Sequence, residues 1–152
     1  MSDNNNAHRL RKGRHSSAGQ IYVVTAVTSG REPIFVDWAL GRILVWEMRL
    51  AQEQGLALSM AWVVMPDHFH WLFELGNGPL PALIQRVKSK SAVAINKARN
   101  DTGPVWQRGF HDRAMRKDED VQAVARYVIA NPLRAGLVES IRQYSLWDAI
   151  WV

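Results

Sequence analysis

The sequence predicts an α+β fold in which helices pack on one face of an antiparallel sheet. Some segments are rich in β-branched and aromatic residues, and others space their apolar residues as a helix does. These segments follow one another as strand, helix, strand, strand, helix and strand, with a third helix among the later segments. Such an order is that of a split βαβ sandwich.

The first half of the chain predicts one strand, one helix and a hairpin. Trp38 and Trp46 belong to the set of apolar residues at helical spacing, and Gly55 is a plausible stop for that helix. Pro66-Asp67 is a short turn between two strand-like segments, which predicts the hairpin. The predicted bounds are 21–28 for the strand, 33–54 for the helix, and 56–65 and 68–75 for the hairpin.

The second half predicts two further helices on either side of an extended segment. A Gly-Asn-Gly-Pro break at 76–79 precedes the second helix, and Pro132 ends the third. The third helix is predicted to begin near Asp118, with three acidic residues in its first turn, where the helix dipole favours them. The predicted bounds are 80–97 for the second helix, 105–116 for the extended segment and 118–131 for the third helix.

The domain organisation predicted is a flexible basic tail at 1–19 followed by one domain at 20–152. The tail is rich in Ser, Asn and charged residues. Its clustered cations fit either a solvated leader or an arm that follows phosphates. These cations are Arg9, Arg11, Lys12 and Arg14.

Composition restricts the class of protein. A chain of 152 residues with 47% hydrophobic and 22% charged residues is globular, and its size suits one core. The net charge of +5 favours a polyanionic partner, most often nucleic acid. No secretory signal and no apolar run long enough for a membrane are present, so we expect a cytoplasmic protein without a membrane partner.

The absence of cysteine excludes disulfides and thiolate metal sites. A metal would have to be bound by histidine, carboxylate, amide or water ligands, which favours Mg²⁺ or Mn²⁺ over structural zinc.

Two histidines stand one residue apart directly after the predicted turn. In a strand, His68 and His70 point to the same face, about 6.6 Å apart, and can bind one divalent ion. The opposite face is wholly apolar and must pack against helices, so the histidines lie on the open face. Glu74 lies about 13 Å from His70 along the strand, too far to share an ion. Alternatively, both histidines are merely polar residues on a solvated sheet face.

The third helix offers a phenol and an amide close together. Tyr127 lies beside the apolar stripe of this helix, and Asn131 follows four residues later on nearly the same side. The amide oxygen could be a third metal ligand, and the phenol could attack a group held at the metal. The alternatives are ordinary core-edge packing for Tyr127 and a helix stop for Asn131, which precedes a proline.

Several motifs in order resemble the REP-associated tyrosine transposases, a branch of the single-tyrosine HUH transposases. Residues 61–70 (AWVVMPDHFH), 105–113 (VWQRGFHDR) and 126–138 (RYVIANPLRAGLV) match the motifs of that family. Residues 19–25 (GQIYVVT) resemble its first strand, whereas residues 143–147 (QYSLW) follow its pattern only loosely. The likeness extends over about residues 19–150.

This resemblance implies a ferredoxin-like domain that nicks and joins single-stranded DNA at hairpin-forming repetitive extragenic palindromes. It implies that His68, His70 and Asn131 bind Mg²⁺ or Mn²⁺, and that Tyr127 is the nucleophile forming a 5′-phosphotyrosine. It also implies that the region before the first strand helps to read a flanking tetranucleotide, and that the protein acts as a monomer or homodimer. The DNA-binding candidates are Arg9, Arg11, Lys12, Arg14, Arg108, Arg113 and Arg134.

Two other functions remain open at this point. The first is a basic domain that binds a nucleic-acid hairpin by its shape and phosphates, without catalysis. The second is a metal-dependent phosphoesterase that uses activated water, which needs acidic ligands beside the histidines. Asp67 is the nearest carboxylate, but as the residue before His68 it is expected to face away.

Overall fold

A five-stranded antiparallel sheet lies at the centre of the computed structural model, which describes residues 17–116 and 118–151. The strands are β1 (Ile21–Val27), β2 (Ala57–Met65), β3 (His68–Leu75), β4 (His111–Ala114) and β5 (Trp147–Ala149). Their order in the sheet is β4-β1-β3-β2-β5. The hairpin formed by β2 and β3 places β3 at the centre, with β1 on its other side.

Two long helices and two shorter ones accompany the sheet. They are α1 (Trp38–Glu53), α2 (Leu80–Arg99), α3 (Val121–Ile129) and the single turn α4 (Asn131–Arg134). The side chain of Asp37 caps α1 by accepting a hydrogen bond from the amide of Ala39, and Asp120 caps α3 in the same way. The chain order β1-α1-β2-β3-α2-β4 and the strand order confirm the predicted α+β, ferredoxin-like class.

The main core lies between α1, α2 and one face of the sheet. The apolar face of β3, with Phe69, Trp71 and Phe73, is fully buried there. Helix α1 begins five residues after the predicted start and ends one residue before the predicted end, and the predicted apolar face is wrong. Trp38 and Trp46 are 56% and 55% exposed, because the core takes up the opposite side of the helix. The buried residues of α1 are Leu40, Gly41, Leu44, Val45, Met48 and Ala51.

The third helix packs on the other face of the sheet, which is the face that bears the histidines. Ala125 of α3 is buried against Leu72 of β3 and Ala61 of β2. The prediction that helices cover one face therefore holds for α1 and α2 and is wrong for α3. The reason is that Leu72 and its neighbours form a second apolar patch on that face, too small for a long helix but large enough for two turns.

The predicted beginning of the third helix is also three residues early. Asp120 is its N-cap, so no acidic residue lies in the first turn. The carboxylate of Glu119 instead accepts hydrogen bonds from Arg113 and from the amide of Arg116. In the described ranges no helix has the length and apolar character needed to cross a membrane.

Candidate active site

His68 and His70 lie together on β3, with their ring centres 4.9 Å apart and their planes nearly perpendicular. The register of the sheet places Thr25 of β1 opposite His70, and Met65 of β2 opposite His68. Both histidines point to the face opposite the main core, as predicted from the alternation of the strand. They are partly buried rather than open, because α3 and α4 cover part of this face.

Each histidine is oriented by a hydrogen bond at Nδ1. The Nδ1 of His70 lies 2.7 Å from the hydroxyl oxygen of Thr25, and the Nδ1 of His68 lies 2.7 Å from a carboxylate oxygen of Asp67. Asp67 was expected to face away, and this is wrong. The tight turn brings its carboxylate back to His68, and its second oxygen accepts a hydrogen bond from Arg31. In both rings Nε2 is thereby the nitrogen directed to a ligand.

The surroundings keep His70 neutral. Burial lowers the pKa of His70 to about 4, and the charges of His68 and Arg134 act in the same direction. Burial alone would raise the pKa of Asp67, but the hydrogen bond from His68 and the charge of Arg31 outweigh it and hold the value below 3.8. The pair thus combines a neutral imidazole with one that is paired to an ionised carboxylate, a common arrangement around protein-bound metals.

Packing brings the end of α3 to the histidine pair. Val128 is buried against Val63 and Met65 of β2, and these two residues lie opposite His70 and His68 in the sheet. The side-chain amide nitrogen of Asn131 donates to the carbonyl oxygen of Val128 at 2.9 Å. This hydrogen bond fixes the orientation of the amide one turn beyond Val128. Asn131 therefore begins α4 and does not merely end α3.

Tyr127 lies on the outer side of α3 and is 66% exposed. The guanidinium carbon of Arg134 lies 3.6 Å from the centre of its ring, and Arg134 also donates to the carbonyl oxygen of Tyr127 at 2.7 Å. Arg134 reaches back because α4 folds directly after α3. Its charge acts on His70 as well, so one cation connects the tyrosine with the histidine pair.

The three tyrosines differ sharply in accessibility. Tyr22 is 4% exposed in the main core. Tyr144 is half-buried, its hydroxyl donates to the carbonyl oxygen of Val64 at 2.6 Å, and burial raises its pKa. Only Tyr127 presents its phenol to a large external substrate.

The predicted DNA-binding residues have different surroundings. Arg108 and Arg113 are exposed, and Arg113 pairs with Glu119 at 2.8 Å. Arg134 contacts Tyr127 as described above. The predicted tail cations Arg9, Arg11, Lys12 and Arg14 lie outside the described residues.

Sequence reasoning missed three residues on this face. Thr25 and Asp67 orient the two histidines, and His111 of β4 lies opposite Thr25 in the sheet, so that His111, Thr25 and His70 form one cross-strand row. The Asp-His adjacency was visible in the sequence as a hydrogen-bond candidate. Thr25 and His111 carry no local signal, because only the strand register places them there.

Comparison with known proteins decides the family. Residues 16–131 match the family model described as transposase, IS200-like, which is more than half of the chain. The chain belongs to the IS200-like transposases. It is therefore a member of an enzyme family that acts on DNA, as predicted, and this family is generally metal-dependent.

Two curated relatives give the same family. A protein of Haemophilus influenzae described as a candidate REP-associated tyrosine transposase is 28% identical over an alignment of 147 residues that covers 86% of this chain and 80% of the relative. The REP-associated tyrosine transposase of Escherichia coli K12 is 26% identical over 86 residues, covering 55% of this chain and about half (49%) of that protein.

A solved structure shares the fold. It is a REP-associated tyrosine transposase bound to a REP hairpin, with a TM-score of 0.73 and 20% identity, covering 88% of this chain and 79% of that one. The resemblance stated from the motifs is thereby confirmed at the level of the family.

The donor set on this face fits a divalent ion only if an amide or water completes it. No group of three or more His, Cys, Asp or Glu side chains that could hold a metal occurs within residues 17–116 and 118–151. Two oriented imidazoles lie on this face, and the amide of Asn131 is the third ligand that the family resemblance implies. Imidazole ligands favour Mn²⁺ over Mg²⁺, and water can supply the remaining positions for either ion.

Proposed function

We propose that this transposase is a metal-dependent endonuclease and strand transferase for single-stranded DNA at hairpin-forming repetitive extragenic palindromes. The observation that carries the proposal is the placement of Tyr127. It is the single well-exposed tyrosine of the described chain, and it stands on the helix whose end packs beside His68 and His70. The named relatives and the hairpin-bound structural neighbour support the choice of substrate.

Tyr127 supplies the nucleophile. Its phenolic oxygen attacks the phosphorus of a phosphodiester and loses its proton, and the bond from phosphorus to the 3′ oxygen breaks. The leaving oxygen takes up a proton and becomes a free 3′-hydroxyl. The 5′ side of the strand remains attached as a phosphotyrosine.

Arg134 positions the nucleophile and provides charge for the substrate. Its planar guanidinium covers one face of the Tyr127 ring, which limits the rotation of the phenol. The positive charge beside the ring offsets the repulsion between the anionic phosphodiester and the oxygen that attacks it.

His68, His70 and Asn131 would hold the ion, with Thr25 and Asp67 fixing the two rings. A bound divalent cation supplies Lewis-acid polarisation of the phosphate oxygens and orients the scissile group. Neutral ligands leave most of its charge available for the anionic substrate.

The covalent intermediate explains joining as well as cutting. A phosphotyrosine ester retains the energy of the original phosphodiester, so a second 3′-hydroxyl can attack it and release Tyr127. Strand transfer then needs no nucleotide cofactor.

The alternative is a hairpin-binding domain without chemistry, and metal removal distinguishes the two. Labelled single-stranded hairpins from the flanks of the gene are incubated with the protein and Mn²⁺ or Mg²⁺, and covalent adducts are resolved by denaturing electrophoresis. We expect adducts with either ion, and none in EDTA or with His68→Ala. Glu74→Ala is the matched control on the same strand face. Hairpin binding without adducts under all conditions supports the alternative.

The basic tail is proposed to read DNA next to the hairpin. Deletion of residues 1–16 should weaken binding of flanked hairpins more than that of bare hairpins with the same stem. Equal losses for both probes would reduce the tail to a nonspecific phosphate contact. The oligomeric state, monomer or homodimer, is a separate matter for sedimentation analysis of the same samples.

A further inference from the structure

The outer face of α1 carries a stripe that the core does not use. Trp38, Arg42, Trp46 and Arg49 follow at spacings of four, four and three residues, so they share one side of the helix. Both tryptophans are more than half exposed. We call these four residues the α1 stripe.

Exposing two tryptophans in one helix is costly, because burial of an aromatic side chain is among the largest stabilising contributions in a small domain. The same helix buries Leu44 and Met48 almost completely. The core therefore does not use the two tryptophan rings, which leaves them available for binding.

The stripe alternates aromatic rings with cations. Trp38 and Trp46 are about 12 Å apart along the axis of the helix, by the helical rise, with Arg42 midway between them. The guanidinium carbon of Arg42 lies 5.7 Å from the centre of the Trp38 ring. Aromatic rings interleaved with arginines are typical of surfaces that stack bases and contact phosphates.

A cleft lies beside the α1 stripe, next to the edge strand β5. Arg42 and Arg49 line it together with Trp62 and Trp147, and its volume is about 480 Å³. Asp148 is the carboxylate in the lining, and one of its oxygens accepts a hydrogen bond from the amide of Ala149. Two arginines face one partly satisfied carboxylate, so the cleft favours an anionic occupant.

The cleft connects with the candidate active site through β5. Trp147 packs against the apolar cluster of Val63, Met65 and Val128 beneath that site, and it also lines the cleft. β5 is a three-residue edge strand, and its Trp147 contributes both to the cleft and to that cluster.

We infer that the α1 stripe is a second binding surface, on which bases of single-stranded DNA flanking the hairpin stack on Trp38 and Trp46 while Arg42 and Arg49 contact phosphates. The inference rests on the proposed function for the identity of its ligand. A surface for a second copy of the chain is the competing occupant. A second copy would bring the same two arginines and the same net charge of +5 against this surface, whereas a polyanion is attracted to it.

Binding of oligothymidylate, followed by fluorescence anisotropy in EDTA, tests the inference without cleavage. The probe is longer than one site of roughly 4–16 nucleotides. The double variant with Trp38→Ala and Trp46→Ala should bind more weakly, by about fivefold or more for each ring lost. The double variant with Trp38→Phe and Trp46→Phe should retain part of the affinity. Val93→Ala on α2, another highly exposed apolar residue, is the matched control.

The dependence of binding affinity on salt concentration tests the role of the two arginines. Arg42→Ala combined with Arg49→Ala should reduce the slope of log affinity against log salt by about 1.4, since each phosphate contact to a single strand contributes about 0.7. Lys90→Ala on α2 should leave the slope unchanged. Thermal melts monitored by circular dichroism confirm that each variant is folded.

Two results would overturn the inference. Unchanged affinity and slope in the stripe variants would do so, and so would a concentration-dependent dimer that disappears in the tryptophan variants. Covalent hairpin capture is measured in parallel, so that the two proposals fail separately. Normal capture with an inert stripe rejects only the inference, and stripe-dependent binding without capture rejects only the proposed chemistry.

Discussion

The guanidinium of Arg134 lies 3.6 Å from the centre of the Tyr127 ring and donates to the carbonyl oxygen of the same residue. The two residues belong to successive helices, α3 and α4, and the sharp join at Ala130 brings them together. Arg134 therefore contacts the proposed nucleophile, although it was predicted only as a DNA contact.

Replacing Arg134 should slow covalent capture more than it weakens binding. Arg134→Ala removes a stacking cation worth about 0.5–2 kcal/mol, and we expect capture to be about tenfold slower or more. Arg134→Lys keeps the charge but not the planar face, so it should recover only part of the rate. Single-turnover capture kinetics measure this, with Arg126→Ala on α3 as the control. An equal loss in affinity and rate would return Arg134 to simple DNA binding.

Thr25 should matter through His70. Thr25→Val removes the hydroxyl that lies 2.7 Å from Nδ1 while keeping the shape of the side chain. Loss of such an orienting partner typically weakens metal binding 10–100-fold, so the Mn²⁺ concentration for half-maximal capture should rise by about that factor. Thr25→Ser keeps the hydroxyl and should have the same Mn²⁺ requirement as the wild type. An unchanged Mn²⁺ requirement in the valine variant would show that the hydrogen bond has no role in metal binding.

Because of Lys88, the free energy of unfolding should change with pH in the alkaline range. Its ammonium donates to the carbonyl oxygens of Gln107 and Gly109, and burial lowers its pKa from 10.5 to about 8. Between these two values the unfolded chain holds the proton and the folded chain does not, so the free energy of unfolding rises with pH in that interval.

The comparison with Lys88→Met isolates this effect. The stability of the wild type relative to the variant should increase between about pH 8 and 10.5, by a few kcal/mol at most, because one pKa unit corresponds to about 1.4 kcal/mol. Urea denaturation at several pH values measures it. A flat or falling difference would mean that the two carbonyl oxygens keep Lys88 charged.

The sequence was sufficient for the first three strands, for the two long helices and for the histidine pair, but it did not predict β5 or α4. Alternation in β3 placed His68 and His70 on the face opposite the main core, and helical spacing located α1 and α2 within a few residues. The buried side of α1 is predicted wrongly because the two large tryptophans were assigned to the core. The wholly apolar row Leu40, Leu44, Met48 and Ala51 marks the buried side at helical spacing.

The rest of the candidate site could not be predicted, because it depends on contacts between residues that are far apart in the sequence. Thr25 meets His70 across 45 positions of the chain, and His111 joins their row only through the register of β4. Arg134 reaches Tyr127 because Asn131 starts a new helical turn, which the following proline tolerates at that position. No local pattern encodes these contacts.

The most direct test of Tyr127 as the nucleophile is whether the Tyr127→Phe variant still forms a covalent adduct with DNA. The variant and the wild type are incubated with a labelled single-stranded hairpin and Mn²⁺, then separated by denaturing electrophoresis, with Tyr144→Phe as the control. We expect the Tyr127→Phe variant to bind the hairpin nearly as well as the wild type and to form no adduct, while the control still forms it. An adduct that persists in Tyr127→Phe would contradict the assignment of the nucleophile.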